Sequence, residues 1–175
     1  MQSILKIALP VLLAGTITTA CQTVQTTHGG AVGVQRSQLM MVSAQEVEQA
    51  SSQQYQQMVA EARRKNALDR DPATVQRVRR IVSRLTAQTG AFRPDAPAWA
   101  WEVHVFSSNE LNAWCMAGGK MAIYTGLIER LALTDDEIAA VMGHEIAHAL
   151  REHARERVSK SMATGLGISV AGALL

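Results

Sequence analysis

The stretch His144-Glu145-Ile146-Ala147-His148 constrains this chain more than any other. Two histidines four apart fall on one face of an α-helix, one turn above the other. Imidazoles so placed can share one tetrahedral zinc ion. The glutamate after the first histidine lies close to that face and can act as general base toward a water at the metal. The motif also arises by chance, so its context carries the argument. Thr134-Asp135-Asp136-Glu137 reads as a capping box, with threonine at N-cap and glutamate at N3. The aspartates sit in the first turn, where the helix dipole favours them. From there to Lys160 the only Gly or Pro is Gly143, so the pattern predicts one helix from Thr134 to near Lys160. Ile138, Val141, Met142 and Ala149 share a side with Glu145 and His148, and Arg151, Glu152, Arg155, Glu156 and Arg157 crowd the far end.

A chain of 175 residues is at most one domain with appendages. A net charge of +2, with arginines interleaved with glutamates or spread on helix faces, gives no argument for nucleic acid. Residues 1–20 read as an export signal: Lys6, then an apolar run from Ile7 to Ile17, then small Thr18-Thr19-Ala20. The run is too short to span a bilayer comfortably. Cys21 follows at once and resembles the acylated cysteine of bacterial lipoproteins, although Thr18 stands where a leucine is usual. Ordinary cleavage after Ala20 is the alternative. Acylation of Cys21 implies a lipid anchor in a membrane, and Gln22 in place of aspartate points, by the same resemblance, to the outer membrane. Cys115 then reads as a small buried hydrophobe. Residues 21–45, rich in Thr, Gln, Gly and Ser, read as a flexible tether, with His28 solvated in it. Residues 46–175 remain for the domain.

Within that domain, residues 46–68 predict a polar helix with a thin apolar stripe of Val47, Tyr55, Met58, Val59 and Ala62. Asp71-Pro72 starts a second helix, whose Val75, Val78, Ile81, Val82 and Leu85 repeat at helical spacing. Arg77, Arg79, Arg80 and Arg84 face solvent on this reading. Trp99 to Phe106 predicts a strand, with Trp99, Trp101, Val103 and Val105 on one side and Glu102 and His104 on the other. His104 reads as a surface histidine. Residues 111–124 carry two β-prone runs around Gly118-Gly119, a hairpin signal. One of its strands is expected to be an exposed edge beside the zinc-site helix, where an unfolded or misassembled protein adds itself as an extra strand. Asn112, Ala113, Gly118 and Gly119 are the residues taken to bind it. Thr125 to Leu133 predicts a short helix, and Ser161 to Leu175 a small, apolar segment.

Asn112-Ala113, Gly118-Gly119-Lys120, Tyr124-Thr125-Gly126-Leu127 and the helix Asp136 to His148 together resemble the HtpX and CAAX-prenyl-protease family of zinc metalloendopeptidases, in its periplasmic lipoprotein branch. The resemblance covers about residues 70–165, and Ala117 stands where many members have proline. It implies a mainly helical α+β fold, a zincin-like metalloprotease core with a small sheet beside the motif helix. It also implies one Zn2+ per chain held by His144 and His148, with Glu145 as the catalytic base. The third ligand in that family is a glutamate on a later helix. Each four-residue step rises about 6 Å along a helix, which puts Glu152 and Glu156 out of reach of such a metal, and His153 does not fit an HExxHxxGxxH spacing. The third ligand is therefore expected beyond Leu175, and the chain is expected to be incomplete at its C-terminus. The implied activity is hydrolysis of misfolded or misassembled envelope proteins on the periplasmic face. A non-catalytic envelope lipoprotein with a chaperone-like or assembly role is the rival. A metallo-aminopeptidase would need an acidic anchor for the substrate amine, and none is found.

Overall fold

The structure, a computed structural model, describes residues 22–27 and 37–165. In chain order the elements are β1 (Gln22–Val24), β2 (Gln38–Met40), α1 (Ala44–Arg64), α2 (Pro72–Thr86), β3 (Glu102–Phe106), β4 (Ala113–Met116), β5 (Lys120–Tyr124), α3 (Thr125–Arg130), α4 (Asp135–Leu150) and α5 (His153–Thr164). This is the expected mainly helical α+β fold. Two short 3-10 turns, Thr89–Ala91 and Ala96–Ala98, occupy the proline-broken stretch before β3.

Helix starts follow the side-chain chemistry of their caps. Thr134 accepts from the Glu137 N–H while Glu137 accepts from the Thr134 N–H, closing the predicted box of α4. Asp71 accepts from the Ala73 and Thr74 N–H groups, with Pro72 at the first helical position of α2. These hydrogen bonds hold the Glu137 carboxyl below its ordinary value through Thr134, and that of Asp71 through Thr74 and Ala73. A second box, Ser43 with Glu46, starts α1 two residues earlier than the apolar stripe indicates.

A three-stranded sheet of order β3-β5-β4 forms the middle layer, with β3 parallel and β4 antiparallel to β5. Beneath one face lie α2 and α4. Val78 and Val82 of α2 and Ile138, Met142 and Ile146 of α4 are buried against Val103, Val105, Met121 and Ile123. On the other face Tyr55 and Val59 of α1 pack on Phe106, Trp114, Met116 and Ala122. Alternation therefore works on both faces, because both are covered. Among the described residues β4 pairs only with β5, so it is an edge, and α4 packs along it.

Three glycines fix this geometry. The β4–β5 turn needs left-handed backbone at Gly118 and Gly119, with φ of 76° and 82°. At Gly126 the demand is space: an added Cβ would sit 2.5 Å from the Asn109 carbonyl carbon and 2.6 Å from the Asn109 and Glu110 oxygens. These are backbone atoms that cannot yield as a side-chain tip can. Gly126→Ala is expected to destabilise the protein by about 2–3 kcal/mol in urea unfolding. An unchanged midpoint would show that the 108–110 loop moves freely.

Three expectations are corrected. Trp99 and Trp101 precede β3 instead of belonging to it. They stack on each other at 5.3 Å, and the Trp101 indole N–H donates to Ala96 O. The stretch read as a tether contains β1 and β2, paired antiparallel. Met40 and Gln38 are both buried, and the Gln38 amide donates to Arg151 O and Glu156 Oε2, both at 2.8 Å. The helix expected from Thr134 to Lys160 breaks after Leu150. Glu152 adopts left-handed backbone, φ 51°, at a cost of about 1–2 kcal/mol for a residue with a Cβ. Its carboxylate is met by Arg93 Nη1 at 2.6 Å and Arg155 Nη1 at 2.7 Å, which offsets that cost.

Candidate active site

The His144 and His148 rings lie edge to face, with centroids 4.5 Å apart and planes at 83°. Their Nε2 atoms converge to 2.9 Å. Two nitrogens bound tetrahedrally to one zinc at about 2.0–2.1 Å stand about 3.3 Å apart, so a small separation of the rings admits the ion. The donor set fits zinc: two imidazole nitrogens aimed at one point. Among the described residues no third His, Cys, Asp or Glu joins them in a metal-binding group. His144 is exposed, whereas Glu145 and His148 are half-buried.

Glu145 lies on the side of α4 that faces β4. The Cys115 thiol there is pushed far up, chiefly by burial and further by the Glu145 carboxylate. At neutral pH Cys115 is a thiol, neither nucleophile nor thiolate ligand. Glu145, His148 and Cys115 line a cleft of about 310 Å³, together with Trp99, Trp114, Gly118 and His153.

The residues assigned to substrate binding separate. Asn112 and Ala113 stand at the start of the edge strand, where Asn112 O accepts from the Tyr124 N–H. Gly118 lines the cleft, with the Glu48 side chain against it. Gly119 is covered by the Trp101 ring instead. Cys21, like the export signal before it, lies outside the described residues. His104 sits on the opposite face of the sheet from α4. It hydrogen-bonds Asp69 at 2.6 Å and Glu102 at 3.2 Å and stacks on Tyr55.

The break after α4 also decides the fate of the other acidic and histidine side chains near the motif. Glu152 turns to Arg93 and Arg155, and Glu156 to Gln38 and Lys160. His153 comes back against His148, Nδ1 to Nδ1 at 2.5 Å, on the side of that ring away from His144. On a straight helix, residue 153 would be rotated about 140° from residue 148 and could not meet it. Sequence reasoning thus passed over Arg93, and it weighed Glu152 and His153 only as metal ligands, without the roles they take here. The cue available was a third histidine soon after the motif.

The family comparison agrees with the metallopeptidase reading of an HExxH helix packed along an edge strand. The family model for peptidase family M48 matches residues 72–175, more than half of the chain, and the chain belongs to that family. It is similar to metalloprotease LoiP of Escherichia coli, 27% identical over 163 residues, covering 93% of this chain and 58% of LoiP. The mitochondrial metalloendopeptidase OMA1 of Arabidopsis thaliana is 38% identical over 63 residues, 36% of this chain and 13% of that protein. Metalloprotease YcaL of Escherichia coli is 36% identical over 59 residues, 34% of this chain and 22% of YcaL. The chain therefore spans less than two thirds of the length of these relatives. No solved structure matches it.

Proposed function

We propose that the protein is a zinc-dependent endopeptidase of the bacterial cell envelope that hydrolyses misfolded or misassembled envelope proteins. The observation that carries this reading is the convergence of His144 and His148 through Nε2 beside Glu145, in a cleft under an edge strand. His144 and His148 would hold one Zn2+ per chain. Bound zinc supplies a Lewis acid for the scissile carbonyl. Glu145 takes a proton from the attacking water and passes it to the leaving nitrogen. Strand β4 holds the substrate main chain as an added strand, from Asn112 and Ala113 toward Gly118, with Gly119 keeping the turn in shape. Main-chain binding asks little of the substrate's side chains, which suits a protease acting on unfolded chains.

The export-type N-terminus and Cys21 support placement on the periplasmic face, with a lipid anchor in the outer membrane. Among the described residues no helix is long and apolar enough to cross a membrane. No nucleic-acid partner is proposed, given the net charge of +2.

The test is metal analysis and casein digestion with the full-length protein. The expected result is one zinc per chain, with cleavage lost on chelation and restored by zinc. Internal cuts in peptides with blocked ends separate an endopeptidase from an aminopeptidase. Absence of zinc and of cleavage would sink the proposal in favour of a non-catalytic lipoprotein.

A further inference from the structure

We infer that His153 is a positioning residue for the metal site. Its hydrogen bond to His148 Nδ1 holds that ring in the tautomer and orientation that turn the Nε2 lone pair toward His144. The inference rests on the reading of His144 and His148 as ligands and adds a residue that this reading does not contain.

A histidine that binds metal through Nε2 must carry its proton on Nδ1, and the group that accepts that proton's hydrogen bond fixes the ring. For His144, which is exposed, no ordered acceptor of this kind appears among the described residues. For His148 the acceptor is His153 Nδ1 at 2.5 Å, with ring centroids 4.7 Å apart at 65°. In that arrangement His148 Nδ1–H donates, His153 Nδ1 accepts, and the His153 proton sits on Nε2.

The chain goes to some length to place this acceptor. Helix α4 ends at Leu150, and Glu152 takes left-handed backbone with a full side chain. Both the broken helix end and Glu152 are then held by one guanidinium: Arg93 Nη1 donates to Leu150 O at 3.2 Å and to Glu152 Oε1 at 2.6 Å. Gln38 donates to Arg151 O, and Arg155 Nε donates to Val42 O at 2.6 Å. The outcome of this clamp is that the first residue of α5 lies against His148. An uninterrupted helix, which the sequence Arg151 to Lys160 would form readily, puts residue 153 elsewhere on the cylinder.

Zinc affinity of the full-length protein, measured by competition with a chromophoric chelator, tests this. His153→Ala and His153→Phe are expected to weaken zinc binding about 10–100-fold, while His153→Asn, whose Oδ1 can accept the same hydrogen bond, stays within about threefold of wild type. A residue that only fills space gives the opposite order, with Phe better tolerated than Asn. A metal-free readout stands beside it: imidazole 15N NMR of the wild type is expected to show the His148 proton on Nδ1, and His153→Phe a mixture of both tautomers. Zinc bound equally by wild type, Phe and Asn variants overturns the inference and leaves the site intact. A wild type that binds no zinc overturns the site reading and the inference with it. If His153→Ala does not fold, the Phe–Asn comparison and the wild-type tautomer decide.

Discussion

Glu145→Gln in the full-length protein is expected to lose casein cleavage by about 10²–10⁴-fold while retaining one zinc per chain. The substitution keeps the volume and hydrogen-bonding reach of the side chain and removes its basicity. Glu145 is half-buried, faces β4 and stands outside the Nε2–Nε2 convergence. Its loss therefore leaves the two ligands in place and takes away the acceptor for the water proton. His148→Ala gives the contrasting result, loss of cleavage together with loss of zinc, because one of the two convergent nitrogens is gone. Equal digestion by wild type and the glutamine variant would exclude a base at this position. Metal analysis on the same preparations separates the two kinds of failure.

Arg93→Ala is expected to carry the largest stability effect of any single ion-pair substitution described, about 3–5 kcal/mol in urea unfolding. The Arg93 side chain is 15% exposed and its Glu152 partner 10%. Burial works against the charged guanidinium, but hydrogen bonds to Asp95 and Glu152 outweigh it and raise its affinity for the proton. Removing Arg93 leaves a buried carboxylate with Arg155 alone, strips the Leu150 carbonyl of a donor and ends the stacking of the guanidinium 4.9 Å over Trp99. Arg93→Lys does not restore stability fully, because one ammonium cannot span Asp95, Glu152 and Leu150 O as the planar fork does. Adding Glu152→Ala to Arg93→Ala recovers part of the loss, since the unpaired charge is gone. A change under about 1 kcal/mol for Arg93→Ala would mean that α5 is held by other contacts.

The parts of the molecule legible in the sequence are those governed by near neighbours. The Thr134–Glu137 box, Asp71-Pro72, the apolar period of α2 and the Gly118-Gly119 turn each depend on residues within a few positions, and each is present in the structure. The motif fixed the helical face that carries His144 and His148 for the same reason. What the sequence hid depends on distant partners. Arg151-Glu152-His153-Ala154 has no helix breaker, and the chain turns there because Arg93 and Gln38 reward the turn. Strand β2 is held by the Gln38 side-chain amide as well as by burial of Met40, and no periodicity reports the amide's distant partners. Trp99 and Trp101 fit a strand by alternation but serve as a stacked pair, with Trp101 covering Gly119.

The strap formed by β2 and the residues after it has a consequence for the order of assembly. Gln38 reaches Arg151 across 113 positions, and the Met41 N–H reaches Ser159 Oγ across 118. A chain that emerges N-terminus first has its first strand and α1 long before α5 exists, and such closures are late because the intervening loop must first be compacted. Helix α4 can coil and bring His144 beside His148 by local bonding alone. The second turn of the site, with His153 seated, waits until residue 159 has arrived and docked on Met41 and Val42. A nascent chain thus carries the motif before it has the surroundings that residues 38–42 and 151–159 build around it.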